Sequence, residues 1–253
     1  MNIFKLKKCT LMLLATCLLS ANLAAAYSNE DLDIVLNGGN CVGGDLSGAD
    51  LSNLDLSGRD FSGSDLTQAR LSGAKMDNTN LNDAVLHHAI LFKTSMRHAS
   101  LKNADFTMAI AKQTDFTNAN LSRAKLYRAQ LQGAQLLNAK LTEVHAKEAS
   151  FDNVKADYAD FSFANMPFTW LRNASLNNAT FYGANMYMSK LQQANLTDAD
   201  CRSAKMSKAN LRKSVLDGAK FDKAVLEKAD LRGASMKYTE FKTAFLNGAE
   251  LDK

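Results

Sequence analysis

Few residues of this 253-residue chain have the types and spacing that chemistry requires. Two of the four histidines, His88 and His98, are ten residues apart, and the other two fall in different phases, so no zinc ligand set is predicted. Asp45 and Asp65, twenty residues apart, could form an acid–base pair, but polar surface positions are the simpler interpretation. There is no nucleophile elbow and no phosphate-binding loop. We therefore predict no catalytic, metal or cofactor site, and no enzyme.

The first 26 residues have the features of a secretory signal peptide. A basic start with Lys5, Lys7 and Lys8 precedes the apolar stretch 11–19, and small residues follow at 24–26. We expect cleavage before Tyr27 and a periplasmic or secreted protein. Two alternatives would attach the chain to a membrane: an uncleaved anchor, or lipidation of Cys17 in a sequence that resembles a lipobox.

The mature chain is nearly neutral. Loss of residues 1–26 removes three lysines, which leaves 27 basic against 26 acidic residues, a net charge of +1. Eight of the acids lie between Glu30 and Asp65, beside the single base Arg59. This charge does not favour nucleic acid as a partner, and it also lacks the strong acidity of a nucleic-acid mimic.

A period of five organises the rest of the chain, and we call each repeating unit a pentad. Every fifth residue from Leu46 to Leu251 is apolar, in 42 consecutive positions that we call centres: 24 Leu, 8 Phe, 6 Met, 3 Ala and Cys201. The residue two before each centre is small, usually Ala, except at Leu54 and Arg59. The only proline is Pro167, which indicates that nearly every backbone N–H is needed as a donor.

This period fits neither one helix face nor one face of a straight strand. On a helix, a spacing of five residues places successive centres about 140° apart around the axis. On a straight strand, an odd spacing places successive centres on opposite faces. The pattern requires a bend in every pentad, and four right-angle bends close one coil of four pentads. Nine of the 13 glycines and eight asparagines lie two residues after a centre, where a corner would need a positive φ.

Runs such as Ala49-Asp50-Leu51-Ser52-Asn53 resemble the pentapeptide-repeat family, whose motif is Ala-Asp/Asn-Leu-x-x. The resemblance implies an all-β fold, a right-handed quadrilateral parallel β-helix, which for this chain would be a solenoid of about ten coils. We assign residues 27–40 to a short N-terminal helical cap that begins after Ser28, and residues 41–253 to the β-helix. The last coil would leave an unpaired edge, which favours a homodimer through the C-terminal coil.

The mature cysteines, Cys41 and Cys201, would lie eight coils or roughly 38 Å apart, too far to pair within one chain. Cys201 replaces a phenylalanine in a column of centres, so we expect a buried, inert thiol. Cys41 is also expected in the core, with intermolecular pairing as the alternative. Exported relatives often have Cys-x-x-Cys at this point, but this chain lacks the second cysteine.

One group of residues departs from the polar exterior. Large apolar side chains occupy outward or corner positions, several of them separated by exactly four pentads, and would form one patch on adjoining coils. We predict a partner-binding site, which we call the aromatic surface, at Phe163, Pro167, Phe168, Trp170, Tyr182, Tyr187 and Met188. In the alternative interpretation, Pro167 makes a local bulge and the aromatic side chains fold over it.

The favoured function is a non-enzymatic scaffold of the cell envelope or exterior that presents flat faces to a protein partner. Two alternatives remain. Some relatives resemble B-form DNA in size and charge and bind type II topoisomerases, which requires a strongly acidic rod in the cytoplasm. An exported, host-directed effector is the other alternative. The fold does not determine the function.

Overall fold

The computed structural model describes residues 27–252. The predicted signal peptide lies outside the described residues. Between these limits there is one helix, α1, at Asn29–Leu36. No helix of this part of the chain has the length and apolar character needed to cross a membrane.

The chain from Asp45 to Glu250 is a β-helix with a constant register of four pentads. Parallel bridges join each bridging residue to its equivalent in the next coil, from Asp45 with Asp65 to Asp230 with Glu250. Each pentad contributes one bridging residue, so the sides are single bridges and not extended strands. Four pentads complete each turn of the coil, as the bending argument predicts.

A β-turn separates each pair of sides. It begins at a centre, and in many pentads the N–H of the residue three positions later donates to the carbonyl of the centre, as Ala49 does to Leu46 at 3.0 Å. From Gly48 to Gly248, every residue two after a centre has a positive φ except Thr243. A positive φ at the third turn position defines a type II turn, and a β-branched side chain disfavours it. The predicted corner position is therefore confirmed.

The centres fill the interior. All 38 centres from Leu46 to Leu231 are buried, whereas the last centre, Leu251, is half exposed. The predicted columns exist: the rings of Phe161 and Phe181 stack with centroids 4.9 Å apart. Cys201 continues this column as a fully buried free thiol.

Helix α1 contacts the first coils, where two positions that are usually small carry large side chains. The Ser28 hydroxyl accepts a hydrogen bond from the N–H of Asp31 and caps the helix. Arg59 occupies a position that is usually small, and its guanidinium donates to the Val35 carbonyl at 2.7 Å. The same carbonyl accepts from the Gly38 N–H at 3.0 Å, so Arg59 adds a second hydrogen bond at the end of the helix. The two irregular positions, Leu54 and Arg59, thus lie at the helix end of the β-helix.

Candidate interaction surface

The seven residues of the aromatic surface lie on adjoining coils but form two clusters. One cluster, Phe163 with Tyr182, lies at one corner. The other contains Pro167, Phe168, Trp170, Tyr187 and Met188 and lies at and just beyond the next corner. The side between the corners carries Asn165 and Asn185, whose amides are hydrogen bonded at 3.0 Å. The structure therefore brings the predicted residues together as two apolar edges around a polar strip.

The first cluster has a defined ring geometry. Phe163 and Tyr182 make an edge-to-face contact with centroids 5.4 Å apart. Both side chains remain exposed, Phe163 by 59%. The guanidinium of Arg202 lies 5.9 Å from the Tyr182 ring and forms an ion pair with Asp200.

The second cluster combines rings with cations. Phe168 and Tyr187 also pack edge to face, at 5.7 Å. Trp170, 41% exposed, has Lys190 Nζ 4.9 Å and Arg172 Cζ 5.1 Å from its ring. These distances permit cation–π attraction, which holds the indole in place while much of it stays accessible.

Pro167 does not create a bulge. It follows a centre directly, and throughout residues 46–250 the N–H at this position donates to no backbone carbonyl. On either side of the proline, Met166 N–H donates to Asn185 and Phe168 N–H donates to Tyr187, at 2.8 and 2.9 Å. Proline also suits the second position of a type II turn. The regular ladder therefore continues through the aromatic surface, which leaves the bulge interpretation without support.

The sequence interpretation missed a second exposed apolar group. Ile90, Phe92 and Met108 lie on the side that carries Trp170, several coils nearer the N-terminus, and all three are exposed. Ile90 pairs with Ile110 across neighbouring coils. This group could have been found in the sequence, because Ile90 and Ile110 are apolar residues at bridging positions separated by exactly four pentads.

A polar network surrounds Asp105 on the side that separates the two aromatic clusters. Its carboxylate lies 3.0 Å from His87 Nε2 and 3.2 Å from Lys125 Nζ. Burial raises the pKa of Asp105, but hydrogen bonds from Thr107, His87 and Lys125 outweigh burial and lower the pKa to about 2. All of these contacts favour the ionised carboxylate, so we assign the network to stability.

The low pKa of Asp105 predicts a pH dependence. The unfolded carboxyl titrates near 3.8, so ionised Asp105 stabilises the fold above that pH and loses its contribution as the pH falls to about 2. We expect Asp105→Asn to lower the free energy of unfolding by about 1 kcal/mol at pH 7, because solvent screens the exposed partners. Urea unfolding should show this difference at pH 7 and a much smaller difference near pH 2. An equal difference at both values would contradict the assignment.

The described residues offer no other chemical site. No group of three His, Cys, Asp or Glu side chains within 27–252 could hold a metal ion. Burial raises the pKa of both thiols, Cys41 and Cys201, and nearby Asp31 raises that of Cys41 further. Both cysteines lie in the core.

A family model described as Pentapeptide repeats (8 copies) matches most of the chain. The matched ranges are 33–68, 45–83, 69–107, 79–118, 99–136, 134–167, 168–198, 194–233 and 216–252. The chain belongs to the pentapeptide-repeat family. Pentapeptide-repeat membership agrees with the register and corners described above, and with the resemblance noted in the sequence.

Solved pentapeptide-repeat structures are similar to this chain. HetL from Nostoc sp. strain PCC 7120, described as involved in heterocyst differentiation regulation, is 29% identical, with 88% of this chain and 96% of HetL covered and a TM-score of 0.41. Full-length QnrB1, a plasmid-mediated fluoroquinolone resistance protein, is 17% identical, with 81% and 92% covered and a TM-score of 0.35. Rfr23 from Cyanothece 51142 is 27% identical, with 51% and 60% covered and a TM-score of 0.19. No curated protein matches the chain.

Proposed function

We propose that this pentapeptide-repeat protein is a non-enzymatic interaction scaffold of the cell envelope or exterior. It binds a protein partner through the aromatic surface. One observation carries the proposal: Phe163 and Tyr182 at one corner, Phe168 and Met188 at the next corner, and Trp170 on the side beyond are all exposed on a regular rod. Exposed aromatic side chains of this kind are the usual anchors of protein interfaces.

The backbone supports a scaffold role. The register of four pentads is continuous from Asp45 to Glu250, and no loop is inserted between the bridges. Side chains on such a rod are held by neighbouring coils at fixed spacing. Recognition therefore depends on which side chains occupy the outer columns, and little backbone ordering is needed on binding.

We extend this proposal to the organisation of the whole chain. Residues 1–26 act as a signal peptide, residues 27–40 close the N-terminal end through α1, and about ten coils follow in 41–253. Contacts of Val35 and Arg59 support closure by the helix. We also propose that a second copy pairs with the C-terminal coil, where Phe245 and Leu251 are about half exposed. A role as a DNA mimic fits less well, because the charge is nearly balanced.

Trp170→Ala combined with Tyr187→Ala tests the proposal. The affinity-tagged protein is used to capture partners from the source cells, and a captured protein is then purified for measurement of its Kd. We expect the double variant to raise this Kd by at least about 30-fold, because two central aromatic anchors are lost, while the free energy of unfolding changes by about 1 kcal/mol or less.

The matched control is Tyr158→Ala combined with Tyr238→Ala. These tyrosines are exposed at the corner opposite Phe168 and share the positive φ of the corner position. The control pair should leave the Kd unchanged. Equal binding by wild type and by the Trp170/Tyr187 variant would refute the proposed surface.

A further inference from the structure

Phe168 forms a ridge between two open grooves. The first groove, about 620 Å³, is lined by Phe168, Trp170, Met188, Arg128, Lys147, Glu148 and Lys190. The second, about 590 Å³, lies toward the polar strip and is lined by Phe168, Pro167, Tyr187, Lys147, Asn185, Lys205, Ser207 and Val225. Each groove therefore has an apolar floor beside the ridge and basic residues along its rim.

The rims have an excess of positive charge. Four basic residues line the two grooves against one acid, Glu148, which forms ion pairs with Arg128 at 2.6 Å and Lys147 at 3.6 Å. Lys190 and Lys205 form no ion pair within residues 27–252. Nearby Lys208 also has no acidic partner there and lies 5.7 Å from the Tyr187 ring. Within the described part of the chain, three exposed ammonium groups without an ion pair thus lie in the two coils that follow Phe168.

This basic region is short. It extends over five coils, from the coil of Arg128 to that of Lys208, or roughly 19 Å at the spacing of β-strands. The same columns carry acids beyond it, Asp105 toward the N-terminus and Glu227 and Asp230 toward the C-terminus. Asp105 is paired with His87 and Lys125, and Asp230 is paired with Arg212 and Arg232. The lysines without an ion pair therefore lie within a short stretch of the rod, which limits the length of chain that can contact all of them at once.

We propose that the grooves bind a short, extended acidic segment of the partner protein, with apolar side chains placed on both sides of Phe168. This inference rests on the proposed function and specifies the chemistry of the partner. Carboxylates would pair with Lys190, Lys205 and Lys208, and the apolar side chains would cover the aromatic floor. At about 3.3 Å per residue, the basic region accommodates about six residues. A polynucleotide fits less well, because the mature chain is nearly neutral and lacks the strong positive field that attracts nucleic acid.

Defined probes test this proposal. Three fluorescein-labelled peptides of about eight residues alternate Leu with Glu, with Gln or with Lys. A labelled oligothymidylate of similar length is the nucleic-acid probe. Fluorescence anisotropy measures each Kd at low and high salt. We expect the Glu peptide to bind at least about tenfold tighter than the Gln peptide at low salt, and to lose this advantage at high salt.

Charge reversal supplies the second part of the test. Lys190→Glu combined with Lys205→Glu should abolish the preference for the Glu peptide and favour the Lys peptide. Lys140→Glu combined with Lys155→Glu changes two exposed lysines on the other sides of nearby coils and should preserve the Glu preference. The proposal is overturned if the Glu and Gln peptides bind equally, if no peptide binds, if oligothymidylate binds best, or if both lysine pairs have the same effect.

The interaction surface and the acidic segment can be refuted separately. A captured partner whose Kd depends on Trp170 and Tyr187, but not on Lys190 and Lys205 or on salt, would overturn the acidic segment and retain the interaction surface. A partner insensitive to all four residues would overturn both.

Discussion

Replacing Leu131 with aspartate is expected to lower the free energy of unfolding by at least about 4 kcal/mol. Leu131 is a fully buried centre, one of the column in which Ala111 and Phe151 are its neighbours in the adjacent coils. The substitution removes a leucine side chain from a packed interior and places a carboxyl group where no polar partner is available. Urea unfolding followed by circular dichroism measures the loss.

Gln135→Asp is the matched control for this core substitution. Gln135 lies in the next pentad of the same coil, at an exposed bridging position. The same carboxylate there should change the free energy of unfolding by less than about 0.5 kcal/mol. Similar losses at both positions would mean that the period of five does not define the interior.

Lys205→Pro is expected to lower the free energy of unfolding by about 3 kcal/mol. Ser207→Pro is expected to lower it by less than about 1 kcal/mol. The Lys205 N–H donates to the Ala184 carbonyl at 2.8 Å as part of the ladder. The Ser207 N–H donates to no backbone carbonyl, and Ser207 occupies the same corner position as Pro167, two coils later.

The comparison of Lys205→Pro with Ser207→Pro distinguishes the loss of a backbone hydrogen bond in the ladder from any general effect of introducing proline. The two sites are in neighbouring positions of the same coil, so differences in local packing are small. Circular dichroism in a urea titration gives both values. Equal losses would show that Pro167 is tolerated for some reason other than its unused N–H.

Much of this fold could be predicted from the period of five alone. The period cannot be accommodated without a bend in every pentad, so register, corner positions and interior all follow from it. The single proline has the same origin, because four of the five N–H groups in a pentad take part in the backbone ladder or the turn. Thr243 shows the limit: it occupies a corner position but does not adopt a positive φ, which the period alone does not predict.

The aromatic surface could be predicted less completely. Spacing by four pentads places Phe168 beside Met188, but it does not reveal that Phe163 with Tyr182 forms a separate cluster. Contacts such as Lys190 with the Trp170 ring depend on the conformation of long side chains, which the repeat does not specify. The grooves and their unpaired lysines were therefore accessible only from the structure.

Hydroxyl-radical footprinting of the rod, free and bound to its captured partner, tests the central claim most directly. The exposed aromatic and sulfur-containing side chains are oxidised readily, and mass spectrometry measures each one separately. We predict that binding protects Trp170, Tyr187 and Met188 while the exposed Tyr158 and Tyr238 remain as reactive as in the free protein. Protection of Tyr158 and Tyr238, with Trp170, Tyr187 and Met188 unchanged, would contradict the assignment of the aromatic surface as the site of interaction.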